Sequence, residues 1–198
     1  GAGGGGGAAG PSGGGWGGVW GGGCAGPDVC GVTRRGGAVR TRPCGVNLVI
    51  EDIEAGPIEA CLEERIPLLV FFWGDPAPHV DMVHRAGTKI AMQVGSVDEA
   101  RRAADAGVDF VMPQGVEAGG HVRGTTALSI LIPAVVDALP QVPVIAAGGV
   151  ADGRGLVAAL SLGAEAVSMG TRFVASAEAF VPRASRERSV SSGAAHTI

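Results

Sequence analysis

Several protein classes are excluded by what this chain lacks. Its four cysteines, Cys24, Cys30, Cys44 and Cys61, show no CxxC spacing, and two of them lie in a glycine-rich tract. That pattern argues against a disulfide framework or a zinc site, and for inert thiols in a reducing compartment. No uninterrupted apolar run approaches the roughly 18 residues that cross a bilayer. Basic residues are not in excess. The formal net charge is −4 and the pI about 5.5, which gives no electrostatic footprint for nucleic acid or an anionic membrane. The first residues lack the basic start, apolar stretch and cleavage site of a secretory signal, so the expected location is cytoplasmic. No GxGxxG opens the chain, and a Rossmann dinucleotide site is therefore unsupported.

Glycine, by contrast, is abundant and unevenly placed. About half of residues 1–37 are glycine. Such a segment loses much backbone entropy on ordering and has few side chains to bury in return. Residues 1–37 are therefore expected to be disordered or poorly packed, and residues 183–198, polar and rich in Arg and Ser, to be a flexible tail. The folded domain is expected over 38–182. The 198 residues suffice for one domain with a sizeable core.

Short apolar runs recur within that domain: "GVNLVI" (45–50), "PLLVFF" (67–72), "KIAMQV" (89–94), "DFVMP" (109–113), "VPVIAA" (142–147) and "EAVSMG" (165–170). They lack polar alternation, as parallel strands covered on both faces do. Helix signals fill the gaps. In "SVDEARRAADAG", Ser96 is a cap, Glu99 completes a capping box and Gly107 is a stop. In "ADGRGLVAALSLGA", Asp152 caps and Gly163 terminates. Pro57 and Pro78 suit a helix's first turn. The cadence predicts six βα units and a parallel sheet, either an open doubly wound sheet or a barrel lacking its start.

Both architectures bind ligands at the carboxyl ends of their strands. One connection there is long, and it carries "QGVEAGGHVRG" (114–124), which puts His121 on the functional face. Gly148 and Gly149 follow the next strand, just before the helix that Asp152 caps, and Gly170 and Thr171 follow the one after. Bare backbone N–H groups at consecutive strand ends near a helix start form a phosphate cradle. His121 either faces solvent or moves a proton, since imidazole titrates near neutrality. Glu117 tunes it or is an exposed carboxylate; Arg123 holds an anion or faces water. His79 and His84 read as surface residues. Asn47, polar inside an apolar strand, must be paired if buried, and towards a strand end it can serve a ligand.

Together "GVNL", "QGVEAGGHVRG", "PVIAAGGVADGRG" and "AVSMGTRF" resemble the nitronate monooxygenase family, also called 2-nitropropane dioxygenase, from about residue 40 to 180. The resemblance implies a TIM (β/α)8 barrel that binds FMN and oxidises alkyl nitronates or nitroalkanes with O2 to carbonyl compounds and nitrite. By motif, Asn47, Gln114 and Gly119 would lie against the flavin, and His121 would be the catalytic histidine. Gly148, Gly149, Ser168, Met169, Gly170 and Thr171 would hold the phosphate end. The implied partners are small molecules and O2, with no nucleic acid and no membrane.

The family's first two strands have no counterpart here, so the chain reads as N-terminally truncated, with the third to eighth units of the barrel. Six strands cannot close an eight-stranded barrel, and open edges favour self-association. Two alternatives stand beside the nitronate reading. One is a truncated, catalytically inactive remnant. The other is an FMN-dependent enoyl-acyl-carrier-protein reductase-like enzyme, whose family shares these glycine motifs. A non-flavin phosphate-binding barrel would keep the phosphate glycines without needing Asn47 or the histidine loop.

Overall fold

The computed structural model of the chain describes residues 4–6, 17–21, 44–51, 53, 56–177 and 182–192. The strands are β1 (Gly4–Gly6), β2 (Gly17–Gly21), β3 (Cys44–Val49), β4 (Leu68–Phe72), β5 (Lys89–Val94), β6 (Phe110–Pro113), β7 (Ile145–Ala147) and β8 (Ala166–Ser168). The helices are α1 (Pro57–Glu63), α2 (Ala77–Arg85), α3 (Val97–Asp105), α4 (Leu128–Ala138), α5 (Gly153–Ser161), α6 (Thr171–Val174) and α7 (Arg183–Ser191). All six apolar runs form strands. Those at β7 and β8 are only three residues long.

Strands β2 to β6 pair in parallel in sequence order. Parallel bridges from Val111 to Val144 and from Gln114 to Ala147 carry the order on to β7, which pairs with β8. The result is an α/β, partial barrel-like fold. Two segments of the glycine tract, from which no strand is expected, add to it: β2 pairs with β3, and β1 pairs antiparallel with β2. The edge of β3 offers a row of main-chain donors and acceptors that an extended glycine segment can meet as well as any other. The rest of residues 1–37 lies outside the described residues. Among those residues β8 pairs only with β7.

The supposed tail also differs from expectation, because residues 183–191 are helical. Arg183 Nε donates to Glu187 Oε1 at 2.6 Å one turn on, and Arg186 Nη1 donates to the Ala177 carbonyl at 3.2 Å. These bonds offset its polar composition.

Alternation along the strands separates two faces. Val46, Leu48, Leu69, Phe71, Ile90, Val94 and Val111 point outward into the apolar layer beneath the helices, where they meet Ile58, Val83, Ala100 and Leu131. Leu68, Ala91, Met112 and Ala147 point inward into a smaller cluster. Capping follows the sequence signals: Ser96 Oγ accepts from Glu99 N, and Asp152 accepts from Arg154 N and Gly155 N. Gly107 and Gly163 end α3 and α5 at φ +94° and +100°.

At the opposite end of the sheet, Asp109 accepts from Lys89 Nζ (2.6 Å) and the Ile90 N–H (2.8 Å), and pairs with His84 Nε2 (2.9 Å). Burial opposes its ionisation, but these partners outweigh it and hold the carboxyl below its usual value. His84 is thus an exposed residue with a structural bond. His79 is half-buried, edge-on to Phe71. Among the described residues no helix is long and apolar enough to cross a membrane.

Ile90 is fully enclosed in the outer layer. Ile90→Ala should destabilise the fold by about 2–5 kcal/mol in chemical denaturation. Ile130→Ala, at a site 63% exposed, should stay within about 0.5 kcal/mol of the parent.

Candidate functional site

The carboxyl ends of β3–β8 converge beneath the loop that joins β6 to α4. That loop is fastened at several points. Gln114, buried on the inner face, donates from Nε2 to the His121 carbonyl at 2.9 Å, and its Oε1 accepts from Arg123 N at 3.4 Å. Arg123 Nε donates to Glu99 Oε1 at 2.5 Å, while Glu99 Oε2 accepts from Gly95 N at 2.7 Å. Gly95 and Gly124 pass so closely that a Cβ on Gly124 would lie 2.4 Å from the Gly95 carbonyl oxygen, so both must be glycine. Glu117 accepts from Leu128 N at 3.1 and 3.2 Å and caps α4 from a distance. Arg123 therefore holds a protein carboxylate, and Glu117 serves a helix start.

The loop's glycines bring it against the two other strand ends. A Cβ on Gly119 would lie 2.4 Å from Thr171 Oγ1, one on Gly148 2.9 Å from the Ala118 Cβ, and one on Gly149 3.2 Å from the Glu117 Cβ. Gly148 and Gly149 are left-handed, at φ +103° and +67°, a conformation other residues rarely adopt. The main-chain N–H groups of Gly148, Gly149, Gly170 and Thr171 make no hydrogen bond among the described residues. Asp152, the cap expected from the sequence, occupies the N–H groups of Arg154 and Gly155.

Below the loop, the inner face carries polar residues. Gln114 is buried and hydrogen-bonded, but Asn47 Nδ2 and Gln93 Oε1 are buried with no partner among the described residues. An unmet buried polar group costs about 1–3 kcal/mol. Register puts Asn47 beside Val70 and Gln93 beside Phe72, so both amides share the inward face of the sheet. Ser168, opposite Ala147, faces inward as well. Met169, Gly170 and Thr171 follow it at the strand end.

His121 is exposed, and its ring meets Trp73 at 5.3 Å between centroids. The structure brings Gly119, Gly148, Gly149 and Thr171 around one loop. His121, two residues from Gly119, turns towards β4 instead.

The family model for nitronate monooxygenase matches residues 37–198. The chain belongs to the nitronate monooxygenase family. Its homologues are flavin-dependent oxidoreductases. A nitronate monooxygenase of Neurospora crassa is 45% identical over 115 residues, which are 54% of this chain and 30% of the relative. A (3aS,4S,5R,7aS)-5-hydroxy-7a-methyl-1-oxo-octahydro-1H-indene-4-carboxyl-CoA dehydrogenase of Mycobacterium tuberculosis is 37% identical over 164 residues, 81% of this chain and 46% of that one. Among solved structures, FabK from Thermotoga maritima (M276A) superposes with a TM-score of 0.79 at 38% identity, covering 84% of this chain and 56% of FabK. Nitroalkane oxidase from Streptomyces ansochromogenes does so at 0.71 and 28% identity, covering 78% and 57%. The chain spans about half the length of these proteins or less.

The site of this nitronate monooxygenase family member suits a flavin. The isoalloxazine ring carries carbonyl oxygens and a ring N–H, which complement a buried amide donor (Asn47) and acceptor (Gln93). Unpaired main-chain N–H groups suit a phosphate. Sequence reading missed two residues here. Gln93 carries the same signal as Asn47, an amide inside an apolar strand. Trp73 had no signal beyond its place after a strand.

The Glu99–Arg123 tether gives a pH prediction. Burial opposes ionisation of Glu99, but the bonds from Arg123 and the Gly95 N–H outweigh it and lower its pKa below the ordinary 4.5. A lowered folded pKa means the stabilisation is complete above 4.5 and disappears as pH falls through the folded value. Thermal melts from neutral pH down to about pH 3 should therefore show a smaller acid loss in Glu99→Gln than in the parent.

Proposed function

We propose that the chain holds FMN across the carboxyl ends of β3–β8 and oxidises alkyl nitronates or nitroalkanes with O2, giving a carbonyl compound and nitrite. The observation that carries this reading is the pair of buried amides without partners among the described residues, Asn47 Nδ2 and Gln93 Oε1, on the face beneath the His121 loop. In this reading Asn47 and Gln93 meet the ring system, while Gln114 and Gly119 shape the loop side of its pocket. Gly148, Gly149, Ser168, Met169, Gly170 and Thr171 hold the phosphate. Bound FMN supplies the electron acceptor that nitronate oxidation requires.

The chain's own residues handle the proton and the charge. A nitroalkane loses the proton on the carbon alpha to its nitro group, and a nitrogen of the His121 imidazole takes it. The imidazolium then faces the negative oxygens of the nitronate. Gln114, by holding the His121 carbonyl, fixes where that imidazole starts. The glycines on either side of the loop let the main chain lie close to a flat ring without side-chain interference.

A second reading rests on the match to FabK, whose TM-score of 0.79 exceeds the 0.71 of nitroalkane oxidase. In it the same pocket serves a flavin reductase driven by NAD(P)H. Flavin reduction by NAD(P)H without nitrite formation would select it. Colourless protein that takes up no added FMN would select the inactive remnant.

His121→Asn should lower nitrite production from nitroalkane by about 10²–10⁴-fold while bound flavin, read from visible absorbance, stays at the parent level. Gly149→Val should do the reverse and lose the flavin, since a side chain there meets both a left-handed backbone and the Glu117 Cβ at 3.2 Å. Parallel loss of flavin in His121→Asn would show that the residue shapes the pocket and not the proton transfer.

A further inference from the structure

Trp73, the residue after β4, combines two features that the fold alone does not call for. Its φ is +52°, a left-handed conformation unfavourable for a bulky side chain. Gly74 follows at φ +90°, and a Cβ there would lie 2.8 Å from Glu51 N, so the chain must turn tightly against the end of β3. Glycine or asparagine at position 73 would make that turn with less strain. A tryptophan stands there instead, and two contacts place its ring. The indole lies tilted on Phe72 at 4.8 Å between centroids, and edge-to-face with His121 at 5.3 Å and 66°. Phe72 itself is buried and in register with Gln93, at the rim of the inner face.

His121 has little else to steady its side chain. Gly119 and Gly120 precede it, Gly120 at φ +84°, and no hydrogen bond reaches the imidazole among the described residues. The charged groups nearby are engaged elsewhere or lie apart. Glu99 and Arg123 hold each other, Glu117 caps α4, and Asp75 accepts from Ala77 N at 3.0 Å. Glu51 sits at the end of β3, under Gly74.

We infer that Trp73 is a positioning residue for His121: a strained turn holds the indole across the mouth so that its ring fixes the imidazole above the inner face. Residues held in sparsely populated backbone conformations persist where the surroundings determine them, and here those surroundings are Phe72 and His121. The inference deepens the proposed function, because the group being positioned is the base named there.

Two measurements test it, and only one needs turnover. An imidazole in contact with an indole alters the indole's fluorescence, and His121 meets Trp73 edge-to-face. Emission of the full chain without added flavin, held at one pH, should therefore change in His121→Asn. The same substitution made in Trp73→Phe should leave emission unchanged, since Trp16 and Trp20 are common to all the variants. Emission that His121→Asn leaves at the parent level would overturn the contact whether or not the protein oxidises nitronates. In the flavin-loaded protein, Trp73→Ala should lower kcat tenfold or more with KM and flavin content unchanged, and Trp73→Phe should recover most of it. If Trp73→Phe were as impaired as Trp73→Ala, or if KM and flavin content moved together with kcat, the residue would not be positioning His121.

Discussion

The side-chain amide of Gln114 governs the geometry of this face. From the end of β6 it donates to the His121 carbonyl and accepts from the Arg123 N–H, spanning the base of the loop with both its functional atoms. A loop rich in glycine has a large conformational entropy to lose, and main-chain bonds from a buried amide are an effective way to remove it. The Glu99–Arg123 pair and the close passage of Gly95 by Gly124 secure the exit of the loop to the neighbouring unit. Gly119 reaches Thr171 and His121 reaches Trp73 because this arch is held from below.

The two faces of the sheet differ in what they bury. The outward residues of β3–β6 join a continuous apolar layer with the helices, which accounts for most of the burial. The inward residues form a thinner cluster interrupted by amides. At the amino ends of β5 and β6, Asp109 gathers a lysine, a histidine and a main-chain N–H into one structural knot. Among the described residues, the carboxyl ends leave main-chain donors open instead. That polarity, fastened at one end and receptive at the other, is the general arrangement of parallel β/α sheets.

Strands and helices were largely legible in the residues. Apolar runs at regular spacing gave the strands of the six βα units, and Ser96, Gly107, Asp152 and Gly163 bounded α3 and α5 as their chemistry requires. Three features were less legible. Pairing of the glycine tract depends on a partner edge supplied by β3, and nothing local encodes it. The helix at 183–191 draws on Arg183–Glu187 and on a bond to Ala177, so its polar composition alone misleads. The functions of Glu117 and Arg123 are set by partners eleven and twenty-four residues away, Leu128 and Glu99. At the site, the glycines and Asn47 could be recognised by type, while Trp73 emerges only from its backbone angle and its neighbours in space.

Alternation by twos gives the buried amides a consequence for how the strands align. Sliding β3 by one position would turn Asn47 into the oily layer beneath the helices and drive Leu48 inward. The same displacement of β5 would strand Gln93 among aliphatic neighbours, where no ligand could ever meet it. Asn47 and Gln93 thus act as indexing pins, penalising misaligned assembly of a sheet whose inward positions at Leu68, Val70, Ala91 and Met112 are apolar. Replacing them with leucine would remove the marks by which adjacent strands find their correct alignment.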